Sequence, residues 1–286
     1  MPAVVVDGIT TRYEVVGSGP PVLMFSPGGF DATMDSWRTV GSYRALALVE
    51  RLGAEHTLIL FDRRESGGSG GRVQRIGWGD YVTQAVGLLD HLGIGRAHLM
   101  GGCVGCSSAA ATAVAHPDRV GGLVLYSPAG GVRYRIKQHQ RFAAHAAHVR
   151  AEGMAGVVAL AGSHDRGFSV DGRVGPWVSV LRTDPEFAAA YGARDAGAYL
   201  TTVTGMARTL FDRDTVPGPE PEDLLTLDVP ALIVPGEDES HAPSAARYLQ
   251  ECLPRAEYWD VPVAARTERT APARILDFLR LNPLEE

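Results

Sequence analysis

Short apolar runs recur along the first 130 residues, and between them the apolar positions switch to helical spacing. Residues 12–17 and 21–26 are β-rich runs separated by the Gly17-Ser-Gly-Pro-Pro21 turn. Thr57 to Phe61 is an apolar run closed by Asp62. From Tyr81 to Leu92, the apolar residues Val82, Ala85, Leu88, Leu89 and Leu92 follow helical spacing. Ala97 to Met100 and Val120 to Tyr126 read as buried strands on either side of a small-residue helix, Ser107 to Ala115. Near the C-terminus, Ala231 to Val234 and Tyr258 to Val261 read as strands, and Ser244 to Cys252 and Ala273 to Leu281 as helices. Strands alternating with helices predict an α/β fold: a mostly parallel central sheet with helices on both faces.

The alternation stops between about Gly130 and Pro221. Helical pieces at Phe142 to Ala151, Pro185 to Tyr191 and Tyr199 to Phe211, with no good strand among them, predict a helical cap over one end of the sheet. Pro217-Gly-Pro-Glu-Pro-Glu222 closes the segment as a turn-rich hinge. The expected division is a core of residues 1–129 and 222–286 with a cap of residues 130–221. A separate helical domain is the alternative.

Composition narrows the function. Hydrophobic residues are 45% and charged residues 21%, and 27 basic against 33 acidic residues give a net charge of -6. There is no basic block, so nucleic acid is not an expected partner. No apolar run reaches the roughly 18 residues of a membrane span. The opening Met-Pro-Ala-Val-Val-Val-Asp lacks a charged n-region, so no signal peptide is expected and the reading is cytoplasmic. Three cysteines are too few for a disulfide scaffold. Neither a dinucleotide fingerprint nor a P-loop is present, so no cofactor is implied and the expected partner is a small-molecule substrate. The number of subunits is left open.

The stretch Leu99-Met-Gly-Gly-Cys103-Val-Gly-Cys106 carries the candidate chemistry. An apolar strand runs into Gly101-x-Cys103-x-Gly105 and then into a helix of small residues. This is the pattern of a nucleophile elbow with cysteine in place of serine. The turn is so tight that its flanking positions cannot carry bulky side chains, and the helix N-terminus favours a thiolate. A glycine turn around an inert cysteine is the blander reading. Cys103-Val-Gly-Cys106 also has the C-x-x-C spacing of a thiol–disulfide oxidoreductase, although chain length, the glycines and the helical insertion speak against it. His139, His145 and His148 crowd one segment, but a solvated or substrate-facing helix explains them better than a metal, and no metal site is expected.

The chain resembles the α/β-hydrolase superfamily over essentially its whole length. Phe25-Ser-Pro-Gly-Gly-Phe30 stands where that family has its oxyanion loop. Phe61-Asp-Arg-Arg-Glu-Ser-Gly-Gly-Ser69 is similar to its D-x-R-G-x-G-x-S loop, and Ala115-His-Pro-Asp-Arg-Val120 to the passage after the elbow. Val229-Pro-Ala-Leu-Ile-Val-Pro-Gly-Glu-Asp-Glu239 is similar to the strand and loop that carry its acid. The resemblance implies that Cys103 is the nucleophile, as in dienelactone hydrolase. It also implies an oxyanion hole built from the backbone N–H of Val104 and of Gly29 or Phe30. Trp37 and Arg266 are expected to face the substrate.

Two departures bear on mechanism. Glu65 replaces the glycine of the D-x-R-G loop. In Val261-Pro-Val-Ala-Ala-Arg266, Arg266 occupies the family's histidine slot, and no histidine follows His241. Arginine cannot act as a base near neutral pH. Three readings follow. His241 supplies the base, oriented by Asp238 or Glu239. Glu65, with Arg266, tunes the thiol without a histidine, the blander view being that Glu65 pairs with Arg63 or Arg64 on a solvated loop. Or the site is dead and the pocket only binds. The expected activity is hydrolysis of an ester, lactone or thioester through an acyl-cysteine. Non-hydrolytic chemistry on the same scaffold (C–C cleavage, isomerisation or cyclisation) and a ligand-binding pseudoenzyme are the alternatives.

Overall fold

A computed structural model describes residues 1–284. Its strands are β1 (Ala3–Val6), β2 (Ile9–Val16), β3 (Pro21–Phe25), β4 (Thr57–Phe61), β5 (Ala97–Gly102), β6 (Val120–Tyr126), β7 (Ala231–Val234) and β8 (Ala256–Tyr258). They form one sheet in the order β1-β2-β4-β3-β5-β6-β7-β8. β2 runs antiparallel to both of its neighbours, and the pairings from β4 to β8 are parallel. Every residue of β5 and β6 is buried. Strands covered on both faces need an unbroken apolar run, which is how these segments stand out in the sequence.

Beside three short helices between residues 36 and 52 and one at Pro221–Leu225, the helices that cover the sheet and build the segment between β6 and β7 are α1 (Trp78–His91), α2 (Gly105–Ala115), α3 (Val132–Ser163), α4 (Val178–Thr183), α5 (Pro185–Gly192), α6 (Ala196–Leu210), α7 (Pro243–Cys252) and α8 (Thr270–Leu281). Leu88 and Leu89 of α1, Ala109 and Ala113 of α2 and Leu249 of α7 pack with Leu23, Leu99 and Leu125 on one face of the sheet. Ile275, Phe278 and Leu279 of α8 pack with Val22, Met100 and Val124 on the other. The two covered faces leave the carboxyl ends of the parallel strands as the open edge, where α/β sheets hold ligands.

Between β6 and β7 the chain is helical, and α3 breaks at Gly153, whose φ is +69°. The insertion builds its own aromatic core. Phe142 and Phe168 meet edge to face at 5.1 Å between ring centroids, and each also packs against Phe30 of the loop after β3. That core takes in Tyr81 and Val104, and the partly exposed Cys103 packs against it.

Two elements differ from expectation. β1 was not anticipated, because its residues alternate between exposed and half-buried and so never form a continuous apolar run. β8 ends at Tyr258 rather than Val261. It pairs with β7, whose ladder reaches Ile233 opposite Tyr258. The strand β7 itself stops before Pro235.

The turn from β5 into α2 leaves no room for side chains at its glycines. A Cβ on Gly105 would lie 2.2 Å from the Phe25 carbonyl oxygen, and one on Gly101 would lie 2.5 Å from the Cys106 nitrogen. Such overpacking against backbone costs about 1–3 kcal/mol. Gly105→Ala should therefore lower the thermal midpoint by roughly 2–10 °C, read by circular dichroism melting. An unchanged midpoint would contradict the close approach of α2 to β3.

Candidate active site

Cys103 sits at the carboxyl end of β5 with φ +56°, a left-handed conformation that costs a non-glycine residue about 1–2 kcal/mol. Hydrogen bonds hold it there. Its N–H donates to the Tyr126 carbonyl at 3.1 Å, and its carbonyl accepts from the Ala129 N–H at 3.2 Å. Val104 then opens α2, whose positive end stabilises a thiolate. The backbone N–H groups of Val104 and of Gly28, in the loop after β3, both act on the sulfur and favour its charged form.

His241 faces the sulfur from the loop between β7 and α7. Gly236 lets that loop fold back, since a Cβ there would lie 2.2 Å from the His241 Cβ. A backbone bridge to Gly130 anchors the loop to the start of the insertion. The His241 Nδ1 is 2.8 Å from each carboxylate oxygen of Asp238. That carboxylate also accepts the backbone N–H of Ser240 at 2.8 Å and of His241 at 3.1 Å, so the acid is fixed by its own turn. With Nδ1 held by a carboxylate, Nε2 is buried without a hydrogen-bond partner, and the imidazole is near enough to the thiol for each to shift the other's pKa.

The electrostatics of this pair reverse what burial dictates. Burial is the largest influence on Cys103 and raises its pKa. The hydrogen bond and charge of His241, with the two backbone N–H groups, outweigh it and bring the thiol below its usual 9.0. Burial likewise lowers His241, but Cys103 first and Asp238 second outweigh it, and the imidazole rises to about 9. Asp238 lies below its ordinary value of 3.8: burial raises it, and the His241 and Ser240 donors more than offset that. Both shifts favour thiolate beside imidazolium over the neutral pair.

Residues 21–264 match the α/β-hydrolase fold family. The chain belongs to that family. A 122-residue stretch of this α/β-hydrolase-fold protein is 32% identical to 2-hydroxy-6-oxo-6-phenylhexa-2,4-dienoate hydrolase of Comamonas testosteroni, covering 42% of this chain and 40% of that protein. The matched stretches span less than half the length of the curated relatives. Among solved structures, the enol-lactonase from Burkholderia xenovorans superposes with a TM-score of 0.62 at 20% identity, over 98% of this chain and all of that one. A thermophilic esterase from Thermogutta terrifontis gives 0.64 at 22% identity, over 98% and 99%. At these identities the superpositions speak for the fold alone.

Cys103, His241, Asp238 and Val104 come together in the structure, and other expected site residues fall elsewhere. Glu239 pairs with Arg133 at 2.8 Å on the surface, not with His241. Glu65 is fully buried and bonds Arg64 at 3.0 Å rather than the sulfur. Burial, opposed by Arg64, raises its pKa to about 7. Trp37 is buried at the far side of β5, with its ring against Tyr43 and Gly102, so it is core rather than a pocket wall. The second N–H on the sulfur comes from Gly28. Beside it, the Gly29 carbonyl accepts a hydrogen bond from Arg63, and the Phe30 ring joins the aromatic core.

Arg266 does not face the site. Its guanidinium donates to the Val261 carbonyl at 2.9 and 2.6 Å and to the Pro235 carbonyl. It therefore staples the root of the Asp238–His241 loop to the segment after β8. Cys106 is buried, and its thiol donates to the Gly101 carbonyl at 3.1 Å. The three histidines of α3 diverge: His139 meets the Phe211 carbonyl at 2.9 Å and His145 the Tyr199 hydroxyl at 2.6 Å. Among the described residues no group of three His, Cys, Asp or Glu side chains could hold a metal, and no helix is long and apolar enough to cross a membrane.

Alkylation by iodoacetamide reads the sulfur directly, because only thiolate reacts. A lowered pKa means thiolate is already present below pH 9.0, so wild-type Cys103 should react rapidly at pH 7. In His241→Asn, burial is opposed only by the backbone N–H groups. The inflection should then move upward, and the rate at pH 7 should fall about tenfold or more, one pH unit being a tenfold change in thiolate. Equal pH profiles for the two proteins would contradict the pairing.

Proposed function

We propose that this protein is a cysteine hydrolase that cleaves an ester, lactone or thioester of a small molecule through an acyl-cysteine intermediate. The single observation that carries the reading is the placement of His241, backed by Asp238, against a cysteine held at a positive-φ elbow between two backbone N–H donors. A lactonase and an esterase among the structural neighbours are in keeping with that class of bond.

The Cys103 thiolate attacks the carbonyl carbon. The developing oxyanion takes the N–H groups of Val104 and Gly28, donors that need no reorganisation as charge forms. The imidazolium of His241 gives its Nε2 proton to the departing oxygen or sulfur, leaving the acyl group on Cys103. Neutral His241 then takes a proton from water as the resulting hydroxide attacks the thioester carbonyl. Collapse of that intermediate releases the carboxylic acid and returns the thiolate and imidazolium. Asp238 holds the ring with Nδ1 protonated and stabilises its charge, and the helical insertion acts as a cap that excludes competing water.

The reactive form is the ion pair, so its pH window is bounded by two groups. Below the lowered Cys103 value the thiolate is protonated. Above about 9, where His241 titrates, no proton is available for the leaving group. The pH profile of kcat/KM on an unactivated alkyl ester, whose alkoxide must be protonated to leave, should be a bell whose alkaline limb falls near that value. A rate still climbing well beyond it would contradict imidazolium as the acid.

Mass spectrometry after acid quench should find the acyl group on the peptide containing Cys103. Cys103→Ala should lose about 10³-fold or more in turnover, and Asp238→Asn should lose less than Cys103→Ala does while still forming the acyl-enzyme. Turnover retained by Cys103→Ala would overturn covalent catalysis.

A further inference from the structure

A groove of about 470 Å³ lies where the insertion meets the core, and neither Cys103 nor His241 lines it. Its walls carry Arg75, Arg150 and Arg208, with Thr204 and Gly205 between them. The three arginines come from three segments: Arg75 from the chain before α1, Arg150 from α3 and Arg208 from α6. All three side chains are exposed, but their stems are fixed. Each is next in sequence to a residue buried in the aromatic core, namely Ile76, Val149 and Ala207. Arg75 is held further. Its Nε and Nη2 donate to the Thr209 hydroxyl at 3.1 and 2.6 Å. Gly205 gives the guanidinium room, since a Cβ there would lie 3.4 Å from the Arg75 Nε. One edge of that guanidinium is thus turned to Thr209, and its Nη1 makes no hydrogen bond among the described residues.

The charges in this groove are uncompensated. Elsewhere on the insertion, Arg133, Arg135, Arg173 and Arg213 each pair with a carboxylate at 2.7–3.0 Å, and Arg182 donates to the Ala161 and His164 carbonyls. Among the described residues, Arg75, Arg150 and Arg208 form no ion pair, and no carboxylate lines their groove. In a chain of net charge -6, a cleft walled by one sign of charge focuses a positive potential. One carboxylate would leave most of that charge unmatched. A phosphate or diphosphate group brings two or more negative charges, and its oxygens fit the forked guanidinium donors.

We infer that this groove binds the phosphate or diphosphate group of a small molecule, at a site apart from the catalytic cleft. The inference does not depend on the role of Cys103. Arg75 belongs to the core and Arg150 and Arg208 to the insertion, so the bound anion bridges the two and braces the cap against the sheet domain.

The test is equilibrium dialysis of pyrophosphate and of inorganic phosphate, at low ionic strength and without divalent metal. It is run on wild type, on the Arg150→Gln/Arg208→Gln double variant, and on Arg44→Gln/Arg269→Gln, which removes the same charge from exposed positions elsewhere. Wild type should bind one pyrophosphate per chain, and phosphate at the same site more weakly. Arg150→Gln/Arg208→Gln should weaken pyrophosphate about 100-fold, roughly tenfold for each charge-assisted pair. Both side chains are exposed, so the substitutions leave folding intact. Arg44→Gln/Arg269→Gln should stay within about threefold of wild type. Pyrophosphate at ten times its Kd should also raise the wild-type thermal midpoint by roughly 3–6 °C.

No saturable binding of either anion by wild type would overturn the inference. So would wild-type affinity in Arg150→Gln/Arg208→Gln, which would put the anion at some other place on the molecule. An equal loss in the two double variants would overturn it as well, because net charge rather than this groove would then govern binding.

Discussion

The position of one proton between Cys103 and His241 governs the chemistry available at this elbow. Burial alone would leave both groups neutral, since it raises the thiol and lowers the imidazole. Each supplies the charge that the other needs, and the reversal is mutual. The pair is therefore cooperative: removing either member takes away the largest influence that opposes burial of the other. A cysteine at the same bend without the imidazole is a buried, sluggish thiol, as Cys106 is three residues further on.

Holding that pair falls to a loop of unusual economy. Asp238 and His241 lie three residues apart on one connection, so a single turn fixes both the imidazole and the carboxylate that holds it. Gly236 allows the chain to double back, and the Gly130 bridge ties it to the start of the insertion. Arg266, in the slot where the family resemblance places a histidine, secures the root of the same loop through the carbonyls of Pro235 and Val261. The insertion is tied to the other side of the site as well. Asp31, beside the Gly28 turn, accepts the backbone N–H groups of Phe168 and Ser169 at 3.0 and 2.8 Å. Displacing the insertion would disturb that turn, which carries one of the N–H donors.

Much of the fold was legible because its signals are local. The runs at residues 57–61, 120–126 and 231–234 coincide with β4, β6 and β7 because burial on both faces writes an unbroken apolar string. The glycines around Cys103 reflect contacts within one turn, so the elbow could be read from seven residues. His241 entered as one of three readings, through its place on the loop that resembles the family's acid loop. What stayed hidden is non-local. Asp238 and Glu239 are adjacent acids, and only the direction of the chain at Ser240 separates them. Glu65 looks like a loop charge in sequence; in space Trp177 and Val180 of the insertion close over Gly71 against it.

The most direct test of the mutual-charge account is an NMR titration of the His241 imidazole in wild type and in Cys103→Ala. The account predicts an inflection near 9 in wild type, with imidazolium persisting through neutral pH. With the sulfur removed, desolvation is opposed by Asp238 alone, and the inflection should fall by about one pH unit or more. An imidazole that titrates at or below its ordinary 6.5 in wild type, and does not move when the sulfur is removed, would contradict it.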